Sequence, residues 1–202
     1  GNIPEAATFF ARSVAAFGAF SILSSAIYIL NDLTDSTRDR VHPRKKFRPI
    51  ASGRLSLRLA ITSAIVLGVA SICAAFVIES HFGVLAVGYM LTMIAYSFAL
   101  KSVVLLDVFV IGGGFVFRIV AGATVLEVPV SPWLYLCTGF GALFIALSKR
   151  RSELVSSGDS AHLQRGVLGE YSLNLLDQMT SVVAMSSLIS YSLYTFTASN
   201  LP

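Results

Sequence analysis

Three oxygen-bearing side chains recur at helical spacing near one end of a long apolar segment: Asn31, Asp35 and Asp39, at i, i+4 and i+8. An α-helix turns about 100° per residue, so each step of four returns to within roughly 40° of one face. Hard oxygen donors in such a row suit Mg²⁺, which takes carboxylates and completes its shell with water and substrate phosphate. As mere decoration the row would be unfavourable. Aspartates one turn apart repel, and the negative end of the helix dipole disfavours them. The spacing points to a bound cation, with a solvated polar helix end as the plainer alternative.

The residues that follow carry the opposite charge. Between positions 31 and 58 eight Lys or Arg meet three Asp, and Pro43, Pro49 and Gly53 fix the path of the chain. A cation cluster beside an acidic metal face is what a phosphate–metal complex would need, since Arg and Lys take the anionic oxygens that the metal leaves free; positive-inside topology is the plainer reading of part of that excess. A second basic run is Ser148-Lys149-Arg150-Arg151-Ser152-Glu153-Leu154; its bland reading is anchoring at a membrane surface. Asp107 and Arg118 lie within an apolar stretch, eleven residues apart and so on nearly one face, with Gly114 and Gly122 on the same stripe. Ionisable groups there line a polar cavity or fix helix packing.

Six apolar stretches must position these groups: Ala6–Leu30, Leu59–Ile78, Phe82–Leu100, Ser102–Leu126, Val128–Ser148 and Gln178–Ser199. Each approaches the roughly 20 residues that a helix needs to cross a bilayer core. With 55% hydrophobic and 13% charged residues in 202, the chain is too apolar for a soluble domain, a disordered segment or a coiled coil. The expected fold is all-α: one multi-pass transmembrane helical bundle over 1–202, with long polar loops at 31–58 and 149–177 and tight turns at Glu79–His81, Lys101 and Glu127. Thirteen of the fifteen Lys and Arg fall in the two long loops or at Lys101. The positive-inside rule makes that face cytoplasmic, so the net charge of +4 reports topology and gives no reason to invoke nucleic acid. Arg12, near the outer end of its span, is expected to snorkel. Cys73 and Cys137 read as small core residues. No basic leader or cleavage site precedes the first span, which therefore reads as mature structure.

These motifs carry a family resemblance. Asn31-Asp32-x-x-Asp35-x-x-x-Asp39 resembles the first aspartate-rich motif of the UbiA superfamily of intramembrane prenyltransferases. The continuation His42-Pro43-x-Lys45-Lys46-Phe47-Arg48-Pro49-Ile50-Ala51-x-Gly53 is similar to the decaprenyl-phosphate phosphoribosyltransferase branch. The likeness runs from about residue 6 to residue 199 and takes in Tyr96 to Lys101, Asp107 to Gly122 and Lys149 to Leu154. It implies a UbiA-like bundle in the cell (inner) membrane with its site facing the cytoplasm, and Mg²⁺ on Asn31, Asp35 and Asp39. Asp35, Asp39 and Glu153 would be catalytic, Glu153 ligating metal or orienting a cation. Lys46, Arg48, Lys101, Lys149, Arg150 and Arg118 would contact substrate phosphate.

The reaction implied is transfer of 5-phosphoribosyl from phosphoribosyl diphosphate to a polyprenyl phosphate lipid, giving a cell-wall arabinan precursor and diphosphate. Where most of the superfamily has a second aspartate-rich motif, this sequence has Lys149, Arg150 and Arg151 before its first acid, Glu153. That departure suits two phosphorylated substrates. The family fold has nine spans, so with six the chain reads as shortened; homo-oligomerisation, lipid length and the roles of Asp107 and Tyr171 are left open. The rival readings are an aromatic prenyltransferase of quinone or haem synthesis and, from another class, a transporter or channel using Asp107 and Arg118.

Overall fold

The computed structural model describes residues 3–157 and 166–197. Among them are six long helices: α1 (Ile3–Val41), α2 (Leu57–Ile78), α3 (Ser80–Phe98), α4 (Leu106–Leu126), α5 (Pro132–Ser157) and α6 (Leu173–Thr197). Short 3₁₀ turns cover Lys45–Phe47, Leu100–Ser102 and Gly166–Glu170. Each helix falls on one of the six apolar stretches. Four of them, α1 to α4, are long and apolar enough to cross a membrane.

Two expected loops are shorter than their polarity suggests. Residues 31–41 continue α1 and residues 149–157 continue α5. Hydropathy marks where the apolar layer ends, whereas a helix ends where its backbone bonding is interrupted. For α1 the interruption is His42-Pro43, since proline disfavours helical geometry at the preceding residue and lacks an N–H. The His42 ring then shapes the turn: its Nδ1 accepts hydrogen bonds from the Arg44 and Lys45 backbone N–H groups, each at 3.2 Å. Ser56 caps α2 by accepting from the Leu59 N–H at 3.3 Å. Glu79 separates α2 from α3 and receives the Phe82 N–H at 2.6 Å and the His81 ring at 2.8 Å. Those bonds to the His81 and Phe82 backbone and ring outweigh its desolvation and hold its carboxyl down to about 2.

The chain divides into two compact units. The first holds residues 1–98 and 120–128, so the last turns of α4 belong to it. Here α1, α2 and α3 pack on one another. Their buried positions are mostly small: Ala16, Ala19 and Ala26 on α1, Ala60, Gly68, Ser71 and Ala75 on α2, and Gly83 and Ala86 on α3. A Cβ on Gly68 would lie 3.9 Å from that of Ala26, so α1 and α2 meet through small residues, as lipid-embedded helices do. The Phe20 ring lies tilted against Tyr89, with centroids 4.8 Å apart, and adds an aromatic part to this core. Leu23, Phe82 and Tyr89 are buried with them, but many large side chains face outward, among them Phe10, Phe17, Tyr28, Ile65 and Val77. A soluble fold would bury these groups; a lipid-facing one exposes them at no cost.

The second unit holds residues 99–119 and 129–202. Its core joins Val108 of α4, Leu143, Ala146 and Leu147 of α5, Val167, Tyr171, and Leu176 and Val183 of α6. A Cβ on Gly112 would come within 3.2 Å of the Leu143 side chain. α4 thus comes close to α5 at Gly112, and Gly114 is buried too, whereas a Cβ on Gly122 would meet nothing within 4 Å.

Candidate functional site

In the first unit the acidic row lies on the last three turns of α1. Asn31 Nδ2 donates to Asp35 Oδ2 at 3.3 Å, so the first i, i+4 step brings its side chains together as the spacing predicts. Asp39 is held otherwise. Its carboxylate, 5% exposed, accepts a 2.8 Å hydrogen bond from Arg48 Nη1, and the same nitrogen reaches Asp32 Oδ1 at 2.8 Å. Arg48 thus bridges two acids seven residues apart, two helical turns along one face. Asp32 is the member that a search for i+4 spacing passes over; its i+7 relation to Asp39 is the signal that finds it.

The basic turn is built to deliver Arg48. His42 closes its first part, and Arg54 closes the far side, donating from Nη2 to the Phe47 carbonyl at 2.7 Å. Gly53 permits the return with φ +77°, where a side chain would be strained. Lys46 is exposed, with its Nζ 5.3 Å from the centre of the Phe47 ring. Lys101, half-buried, lies in the turn between α3 and α4.

The acidic row can be tested for its fit to Mg²⁺. Among the described residues no three His, Cys, Asp or Glu side chains converge closely enough to hold a metal by themselves. Asn31 Oδ1, however, is buried without a hydrogen-bond partner, and it belongs to the side chain already tied to Asp35. A hard oxygen in that position beside carboxylates fits a divalent ion whose remaining ligands are water and phosphate oxygens.

The second unit contains another arginine between two acids. Arg150, 2% exposed, has Nε 3.3 Å from Asp107 Oδ2 and donates from Nη1 to Glu153 Oε2, one turn along α5. Asp107 is fully buried and accepts a 2.5 Å hydrogen bond from the Tyr171 hydroxyl. That hydroxyl in turn accepts the Leu105 N–H at 2.8 Å. Burial and then the bond to Asp107 push the Tyr171 phenol above its ordinary range, so it stays a protonated donor. Leu105 has φ +68°, an uncommon geometry for a residue with a side chain, and the bond to Tyr171 holds it at the start of α4.

The sequence placed Asp107 on a stripe with Arg118. In the fold Asp107 is engaged by Arg150 and Tyr171, while Arg118, half-buried, lies with its guanidinium carbon 5.0 Å from the centre of the Phe115 ring. Lys149 is exposed on α5. Arg151 forms a two-point pair with Asp177. Arg12 pairs with Glu127 at 3.3 Å, so it is an ion-pair partner in addition to any snorkelling. Arg165, counted among the loop cations, lies outside the described residues.

The family model for the UbiA prenyltransferase family matches residues 3–151. Decaprenyl-phosphate phosphoribosyltransferase from Mycobacterium tuberculosis is 34% identical over 181 residues, which are 90% of this chain and 60% of that protein. The protein of the same name from Mycolicibacterium smegmatis is 33% identical over 186 residues, 92% of this chain and 58% of the relative. The chain thus spans about 60% of the length of these curated relatives. A solved structure of a UbiA homolog from Archaeoglobus fulgidus bound to GPP and Mg²⁺ superposes with a TM-score of 0.76 at 20% identity, covering 92% of this chain and 65% of that one. At that identity the likeness concerns the fold.

Proposed function

The chain belongs to the UbiA prenyltransferase family, and from that premise we propose that it takes part in transferring 5-phosphoribosyl from phosphoribosyl diphosphate to a polyprenyl phosphate. The observation that carries the reading is the junction at the end of α1. There Asn31, Asp35 and Asp39 run directly into a folded basic turn whose Arg48 rests on Asp32 and Asp39. Curated relatives named for this activity, matched over about nine-tenths of the chain, support it.

Asn31, Asp35 and Asp39 would hold Mg²⁺, which when bound neutralises the charge on a departing diphosphate. Arg48 offers a cation already poised beside the acids. Its half-exposed guanidinium can exchange a carboxylate for a phosphate oxygen, both of which it binds well. Lys46, Lys101, Lys149 and Arg118 are the further candidates for phosphate contacts. In the reaction an oxygen of the lipid phosphate forms a bond to the anomeric carbon of the ribosyl donor. The bond from that carbon to the diphosphate oxygen breaks, and diphosphate leaves with the electron pair. The nucleophile is already anionic at neutral pH, so no side chain need act as general base. The product would be a polyprenylphosphoryl-5-phosphoribose, a precursor for cell-wall arabinan. The cation excess in 31–58 and in 149–177 supports an inner-membrane protein working from the cytoplasmic side.

Membranes carrying the full-length protein, given labelled phosphoribosyl diphosphate and polyprenyl phosphate, should form a labelled lipid that requires Mg²⁺ and disappears with EDTA. Failure to label the lipid, with prenylation of an aromatic acid from a prenyl diphosphate instead, would replace this reading with that of an aromatic prenyltransferase.

A further inference from the structure

Arg150 reads in the sequence as a phosphate ligand, one of three consecutive cations at the end of α5. Its surroundings argue otherwise. The side chain is 2% exposed, with its guanidinium committed on one side to Asp107 and on the other to Glu153. A phosphate could reach it only by displacing Glu153 or Asp107 from the guanidinium, and loss of the second pair would leave Asp107 uncompensated in the interior. The network is buried except at one end. Asp107 is 0% exposed, Arg150 2%, Tyr171 5% and the Glu153 side chain 29%. The end that reaches outward is therefore a carboxylate.

We propose that Arg150 is a positioning residue, whose task is to fix the carboxylate of Glu153, and that Asp107 and Tyr171 anchor it for that purpose. The anchoring runs in connected steps. Tyr171 accepts the Leu105 N–H at the strained entry to α4 and donates a hydrogen bond to Asp107; Asp107 holds Arg150; Arg150 holds Glu153. Backbone geometry at one end is thereby tied to the aim of a half-exposed acid at the other. A guanidinium suits this role better than an ammonium because one planar group donates to Glu153 from Nη1 while its Nε lies within ion-pair range of Asp107. The assignment rests on the transferase reading only for its kinetic consequence; the network itself stands on geometry.

Two measurements on the full-length protein test it. The first is a thermal-unfolding cycle in detergent with Tyr171→Phe, Arg150→Lys and the double variant. Residues in one network give non-additive losses, so the double variant should lose clearly less than the two single losses added together; strict additivity would overturn the network. The second is steady-state transfer kinetics. Arg150→Lys keeps the charge but loses the fork, so kcat should fall about tenfold or more while KM for phosphoribosyl diphosphate changes less than about twofold, the pattern of a lost transition-state contact. Adding Glu153→Gln to Arg150→Lys should cost little more. A KM raised about tenfold with kcat intact would make Arg150 a phosphate ligand and overturn the proposal. If wild-type protein transfers no phosphoribosyl, the functional reading fails, while the unfolding cycle still decides the network.

Discussion

Each unit of this protein holds one arginine between two carboxylates, and the two clusters differ in exposure. Arg48 is 37% exposed, between Asp39 at 5% and Asp32 at 32%. Arg150 is 2% exposed, between Asp107 at 0% and Glu153 at 29%. The same three charges therefore serve different ends. Near the surface an arginine–carboxylate pair contributes little to stability, which would suit the proposed phosphate-binding role. In the interior the same pair is costly to break, because removing one partner strands the other without water. The first cluster is suited to work on a ligand, the second to hold a frame.

The largest expected effect breaks the buried cluster. Arg150→Gln should destabilise the fold by about 3–5 kcal/mol, the range for stranding a buried charge, measured as a loss of folded protein on heating. Arg48→Gln should shift the same melt less, because Arg48 is 37% exposed and water can reach the place it leaves beside Asp39. Equal losses at the two sites would erase the distinction. Next in size, Asp35→Asn and Asp39→Asn should abolish lipid labelling while leaving the unfolding temperature within a few degrees of wild type. Each keeps the side-chain shape and removes an anionic donor from the row. Retained turnover in either at ordinary Mg²⁺ would remove that residue from the metal site.

Lys149→Gln sharpens the comparison inside the second unit, because this exposed lysine adjoins the buried Arg150. If it contacts phosphate, KM for phosphoribosyl diphosphate should rise about tenfold, since a charged hydrogen bond contributes about 1.5–3 kcal/mol. An unchanged KM would leave it a surface cation. The smallest effect concerns Glu79, outside both clusters. Its carboxyl titrates at about 2 in the folded protein against 4.5 ordinarily. A lowered folded value means that its stabilisation is present above about pH 4.5 and is lost as the pH falls towards 2. Glu79→Gln should therefore flatten the dependence of unfolding temperature on pH in that window alone; a flattening near neutral pH would assign the sensitivity elsewhere.

The helical architecture was legible in the sequence because lipid leaves the chain few choices. Runs such as Leu59–Ile78 can cross only as closed helices. The positions where helices outlast the apolar layer were not legible, since the stop for α1 is the local geometry of His42 and Pro43, and α5 carries its own basic run onward to Ser157. The Asn31–Asp35 contact followed from spacing within one helix. The placement of Arg48 did not, because it depends on a turn closed by the His42 ring and by Arg54. Least legible was the partner of Asp107. Within its own helix the only base on its face is Arg118, whereas its ligands come from α5 and from Tyr171, which packing alone brings near.

The division of labour between the two arginines is tested most directly by thermal unfolding of Arg48→Lys and Arg150→Lys beside wild type, each with and without Mg²⁺ and phosphoribosyl diphosphate. Wild type should melt higher with the ligands, as any protein does when the native state alone binds. Arg48→Lys should melt near wild type without ligands and lose most of the ligand-induced rise, while Arg150→Lys should melt lower without ligands and keep the rise. The reverse pattern, with the rise lost at Arg150 and kept at Arg48, would contradict the account.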